Sequence, residues 1–325
     1  MITNIPFGGK VMKISSQVVK ISLHVRTNIE KALVKIQDET NSKLIRLDMS
    51  PWNGMDTPPI YEVEMAPGGL MFWGIARSRC AQYLIKTFPG SIAPESPLHA
   101  LVLKLAQLPW SVRNLASVAM LAPEYNQWAG LYKMLSIQTG WRFCNQWDQV
   151  PRNVNVYFSG TEEAIEPVSS RGFKLITDPF SSKVITLKIT GGMVLNGHDD
   201  RRSFDYLIGR YPGGFAIKPP DGFGTRDVSV YASSQPFKSA GCTKSQMQRA
   251  LNSDTQFMAQ PFFPPQIDEV GALTGKPGFV AWRIFAVRSK PTQPFRLIGG
   301  VWNYRPKSLI IHGQNDAVVG NLVVS

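Results

Sequence analysis

The chain has 325 residues, 43% hydrophobic and 10% aromatic, which excludes a disordered polypeptide and supplies core material for two or three domains. Lys and Arg number 35 against 23 Asp and Glu, a formal charge of +12, so the surface is expected to attract phosphate-bearing partners: nucleotides, nucleic acid or anionic lipid. Cys80, Cys144 and Cys242 form no C-x-x-C pair, which argues against a disulfide framework or a thiolate zinc site. The N-terminus lacks the apolar segment of a secretory signal, and no stretch approaches the roughly 18 apolar residues that span a bilayer. A soluble cytoplasmic protein in a reducing compartment, without a membrane partner, is expected.

In chain order, "KVMKISSQVVKISLHV" alternates like a strand, and "TNIEKALVKIQDET" predicts a helix starting at Thr27 or Asn28, with Ile29, Leu33 and Ile36 on one face. "SKLIRLDM" predicts a strand, completing a β-α-β opening typical of an open α/β layer. From "LHALVLKLAQL" through "SVRNLASVAMLAPEYNQWAGLYKMLSIQTGW" the three-and-four spacing predicts two or three helices, broken near Pro109 and Pro123. "VNVYFSG" and "FKLIT" bring strands back, and "TDPFSSKVITLKI" opens a new unit. The expected division is an N-terminal α/β scaffold or substrate domain, 1–177, and a second domain, 178–325. Residues 201–325 carry 15 Lys and Arg against 7 Asp and Glu, so the positive field lies mainly there.

In that half the pattern predicts a helix at "SFDYLIGRY", strands at "GFAIKPP" and "VSVYAS", a helix over 244–252, strands at "TQFMAQPFF", "GFVAWRIFAVRS" and "PFRLIGGVWNYRP", and a loop over 264–276. "FAIKPPDGFGTRDV" sets Lys218 before a glycine turn. A lysine ammonium suits phosphate oxygens, and glycines let backbone N–H groups approach a polyphosphate without a Cβ in the way. Alone, this combination more often marks a surface hairpin than a phosphate grip. "GGMVLNGHDD" has P-loop glycine spacing, but His198 stands where the lysine belongs.

The order of elements over about residues 178–325 resembles the ATP-grasp family, carboxylate-activating ligases that hold ATP between two α+β lobes. The resemblance implies an α/β (α+β) fold in which the N-terminal domain precedes a two-lobed nucleotide-binding region. It implies Lys218 on the phosphates, with Lys183 as an earlier lysine, Gly222, Phe223, Gly224 and Thr225 as the covering loop, and Gln260, Pro261 and Phe262 as the adenine-reading hinge. Asp268 and Glu269 would meet the ribose hydroxyls. Arg283 would stabilise the transferring group, with Arg305 in the same arginine row, and Asn303 with Asp316 would hold Mg2+. The expected function is an ATP-dependent ligase joining a small-molecule or peptide carboxylate to an amine or similar nucleophile through an acylphosphate. Val301 stands where the family carries an acidic residue two before the asparagine. That departure keeps open a non-catalytic protein of the same shape, or a basic nucleic-acid-binding or assembly protein. Trp282 and Trp302 read as packing residues.

Overall fold

The computed structural model describes residues 2–7, 10–51, 59–65, 69–88, 90, 93–115, 119–121, 129–158, 172–178, 182–219, 228–233, 244–269, 271–306 and 317–324. They form a mixed α/β protein with three sheets. Strands β1 (Ile2–Phe7) and β2 (Lys10–Ile21) pair antiparallel. Helix α1 (Leu23–Val34) begins a turn earlier than expected, because the Ser22 hydroxyl accepts the Val25 N–H at 3.3 Å and caps it. Val25 thereby joins Ile29 and Leu33 on the buried face.

After β3 (Leu44–Met49) and β4 (Ile60–Glu64) comes α2 (Leu70–Thr87), which the sequence pattern does not single out. Every residue from 70 to 77 is buried, so the helix has no polar face there to reveal a period. Helices α3 (Pro97–Ala106) and α4 (Trp110–Arg113) are separated at Pro109 as expected, and α5 (Ala129–Thr139) follows; Pro123 lies outside the described residues. Within the stretch expected to be helical, β5 (Ala119–Leu121) is a strand. It pairs in parallel with β6 (Arg142–Cys144) and β7 (Asn155–Phe158), and β7 pairs with β8 (Lys174–Leu175). Pairing on both edges overrides the local spacing.

Helix α6 (Ser182–Thr190) and strand β9 (Met193–Leu195) lead to α7 (Phe204–Arg210), β10 (Gly214–Lys218), β11 (Ser229–Ala232), α8 (Lys244–Leu251) and β12 (Phe257–Pro261). These strands form an antiparallel sheet in the order β11-β10-β12-β9. One face is sealed by Leu207, Met247 and Leu251 against Phe215 and Ile217. A short strand, β13 (Gln266–Asp268), interrupts the expected 264–276 loop, and β14 (Gly278–Val287), β15 (Arg296–Arg305) and β16 (Val318–Val324) complete the chain.

The large sheet runs β1-β2-β16-β15-β14-β3-β4, with β13 also on β14. Three strands therefore separate β2 from β3, and the β-α-β opening does not form neighbouring parallel strands. The sheet takes strands from both sides of residue 178, with β3 pairing β14 from Met49↔Trp282 to Leu44↔Val287. Helices α2 and α5 cover one face through Trp73, Tyr132 and Leu135 against Phe285 and Val301. Helices α1 and α6 cover the other through Ile29, Leu33 and Ile185, where Trp282 and Trp302 also pack. No helix among the described residues is long and apolar enough to cross a membrane.

A bulge in β14 between Phe285 and Ala286 faces Gly299, whose φ is 126°. A Cβ there would lie 2.7 Å from the Trp73 ring and 3.0 Å from the Leu322 carbonyl oxygen. Gly299→Ala is therefore expected to lose about 2–3 kcal/mol of unfolding free energy in urea titrations.

Candidate functional site: a charged cleft between two sheets

Strand β10 alternates. Phe215 and Ile217 enter the core under α7 and α8, so Ala216 and Lys218 face away from it. Ala216 packs with Val230, Phe262 and Phe279 of β14, which brings this face of the small sheet against the large one. In the ladder, Gln260 lies opposite Ala216 and Met258 opposite Lys218. The buried Gln260 donates from Nε2 to the Tyr61 carbonyl at 2.8 Å, while its Oε1 has no hydrogen-bond partner among the described residues. The Lys218 Nζ lies 3.7 Å from Glu62 Oε1, with the two side chains 16% and 41% exposed.

On the large sheet the same cleft is lined by charge. Arg46 and Asp48 share one face of β3, and Asp48 lies directly opposite Arg283 on one side and Glu62 on the other, with Glu64 opposite Arg46. Arg46 grips Asp48 bidentately, Nε to Oδ1 at 2.7 Å and Nη2 to Oδ2 at 3.1 Å, and Arg283 Nε is 3.3 Å from Oδ2. Burial opposes the Arg46 charge, but Asp48, Glu64 and Glu62 outweigh it and hold its pKa above the ordinary arginine value. Burial pulls the Arg283 pKa down, and Asp48 resists. Burial, and then the Asp48 charge, push the Tyr61 hydroxyl well above its usual range, so it remains a protonated donor, and it has no hydrogen-bond partner among the described residues.

Of the sequence candidates, Lys218, Gln260 and Arg283 converge on this cluster. Asn303 sits on β15 opposite Ala281, two register positions from the Arg283–Val301 pair and so on the same face; it is buried, and its Nδ2 has no partner among the described residues. Pro261 ends β12, and the Phe262 N–H donates to the Gly214 carbonyl at 2.9 Å. Lys183 stands in the first turn of α6, one turn before Thr186, whose hydroxyl bonds both the N–H and the carbonyl of Val63 and so covers the free edge of β4. Arg305 ends β15 opposite Phe279. Asp268 spends both carboxylate oxygens on its own turn, accepting from Ala272 N–H at 2.9 Å and Leu273 N–H at 3.0 Å. Gly222, Phe223, Gly224, Thr225 and Asp316 lie outside the described residues.

Arg46, Asp48, Tyr61, Glu62 and Glu64 are additions that sequence reasoning missed. The available signal was "LIRLDM", where charges at alternate positions share one face of an otherwise apolar strand. A solvated face gives the same pattern, and only pairing with β14 distinguishes the two.

No protein-family model matches the chain, and no curated protein matches it. Among solved structures, a glutathione synthetase-like effector (GSS30) from Globodera pallida, in apo form, is similar with a TM-score of 0.41 and 11% sequence identity, over 91% of this chain and 80% of that one. At that distance the likeness assigns no site or activity, and the cleft is read from its own residues.

Proposed function

We propose that the cleft binds ATP with Mg2+, and that the protein is an ATP-dependent ligase of ATP-grasp type, joining a carboxylate to an amine or similar nucleophile through an acylphosphate. The observation that carries this reading is that Lys218 from the small sheet and Arg283 from the large one meet two carboxylates, Glu62 and Asp48, that are cross-strand neighbours. Three cations, Arg46, Lys218 and Arg283, are balanced by Asp48, Glu62 and Glu64. A bare polyanion gains little from a balanced cluster, whereas a triphosphate accompanied by a divalent cation brings its own compensation. This favours a nucleotide over a nucleic-acid backbone at this site.

The residues fit the phosphates. The Lys218–Glu62 pair is long and partly exposed, so its ammonium can be redirected to a phosphate oxygen with little loss. For the metal, Asp48 is committed to two arginines, and Val301 is buried in the apolar layer. Glu62 and Glu64, on one face of β4, carry the hard oxygen atoms that would hold Mg2+. Among the described residues no group of three or more His, Cys, Asp or Glu is arranged for a metal. Magnesium commonly takes one or two carboxylates and completes its shell with phosphate oxygens and water. In this reading ATP supplies the phosphoryl group. Lys218 neutralises and positions phosphate, Arg283 presents a fixed charge oriented in advance by Asp48, and the buried Gln260 Oε1 and Asn303 Nδ2 remain to orient bound groups.

The test is thermal and chemical unfolding with and without Mg·ATP. At 100 times its dissociation constant the nucleotide is expected to add about 2.7 kcal/mol, and Lys218→Ala should lose most of that gain at the same concentration. No gain in the wild type, or an equal gain in the variant, would sink the reading. Salt-sensitive retention of RNA or DNA with no nucleotide effect would select the basic nucleic-acid-binding alternative.

A further inference from the structure

At the opposite end of β15 from the charged cleft, a pocket of about 260 Å³ opens between α2, α3 and α4 and the ends of β15 and β16. Its polar lining includes Arg77, Lys104 and Arg113 and, among the described residues, contains no Asp or Glu. Arg77 is 3% exposed. Its Nε and Nη2 donate to the Gln107 carbonyl at 3.0 and 2.7 Å, and its guanidinium lies 5.4 Å from the Trp73 ring centroid. Among the described residues Nη1 makes no hydrogen bond and no carboxylate pairs with this arginine. Arg113 Nε is buried without a partner among them.

A buried cation without a counter-ion is costly, and proteins ordinarily pair it or bind an anion beside it. Burial lowers the Arg77 pKa to about 10, which leaves the group charged at neutral pH. The same pocket is bordered by two large apolar side chains left in solvent, Leu103 at 60% and Trp110 at 67% exposure. Polar donors inside an apolar rim are the usual composition of a small-molecule site.

We propose that this pocket is a second ligand site that takes a small organic anion, its carboxylate or phosphate head on Arg77 and Arg113 and its apolar body against Trp110 and Leu103. The volume is that of roughly eight or nine waters, which suits a ligand the size of benzoate or phenyl phosphate. Lys104 adds attraction at the mouth. The site depends on no feature of the nucleotide cleft.

Isothermal titration of the full chain with benzoate, phenyl phosphate and the neutral benzyl alcohol tests it. At least one anion should bind at least tenfold more tightly than the alcohol, and its identity tells a carboxylate ligand from a phosphoryl one. Because Arg77 packs on Trp73, the test uses Trp110→Ala and Arg113→Gln, each expected to weaken binding tenfold or more while the unfolding midpoint stays near wild type. Lys218→Ala should bind the anion as wild type does. Anion binding no tighter than that of the alcohol, or unchanged in both pocket variants, overturns the proposal. Loss of binding in Lys218→Ala would place the anion in the nucleotide cleft and overturn it too.

Discussion

Asp48→Ala is expected to lower the unfolding free energy by about 3–5 kcal/mol, measured by urea titration at neutral pH. Asp48 is the common partner of the buried Arg46 and the largely buried Arg283, with side-chain exposures of 9% for Arg46 and Asp48 and 11% for Arg283. Removing it takes the shared carboxylate from two desolvated guanidinium charges that face each other across β3 and β14, where Arg46 already lowers the Arg283 pKa, and leaves Glu62 and Glu64 to attract Arg46 and Glu62 to attract Arg283. Breaking one side of a buried pair costs far more than the pair itself contributes, because the stranded charge keeps its full desolvation penalty. Asp48→Asn retains an acceptor and the side-chain volume, so it should lose less than the alanine variant. The double variant Arg46→Met/Asp48→Leu should recover part of the Asp48→Ala loss by removing one stranded charge. If Asp48→Ala unfolds within about 1 kcal/mol of wild type, the cluster is solvated and not buried as described above.

Trp73→Ala carries the second large effect, also about 3–5 kcal/mol, since it opens a cavity in the layer between α2 and the large sheet. The indole is fully buried and stacks on Phe285 at 5.2 Å between centroids with an interplanar angle of 12°. Its Nε1 has no hydrogen-bond partner among the described residues, so Trp73→Phe loses packing but no bond and should cost well under half as much. Equal losses for Phe and Ala would show that the ring is not packed as described. Trp73 also lies beneath Arg77, so the alanine variant should weaken anion binding at the α2–α4 pocket, whereas Trp73→Phe should largely keep it.

The back half of the chain was legible because its elements are short, regular and separated by glycine and proline. "GFAIKPP", "TQFMAQPFF" and "GFVAWRIFAVRS" read as strands, and β10, β12 and β14 lie in them. The lysine that ends β10 was legible for the same reason, since alternation from Phe215 and Ile217 sends Lys218 to the opposite face. Helix α2 was not, because burial on every side in its first two turns removes the contrast that periodicity needs. Strand β5 was not either, because its parallel neighbours, β6 and β7, lie more than 20 and more than 30 residues further along the chain.

By itself the sequence determined which segments could be strands, and that a lysine stands at the end of an apolar run. These follow from local alternation and composition, which act over a few residues. The tertiary structure alone decided that Arg46 and Asp48 of β3 lie beside Arg283 of β14, more than 230 residues away, and that Glu62 reaches Lys218 from another sheet. Such pairings depend on the register of the whole sheet. A shift of one residue would turn every one of these charges to the opposite face, so no local pattern in the chain encodes the cleft.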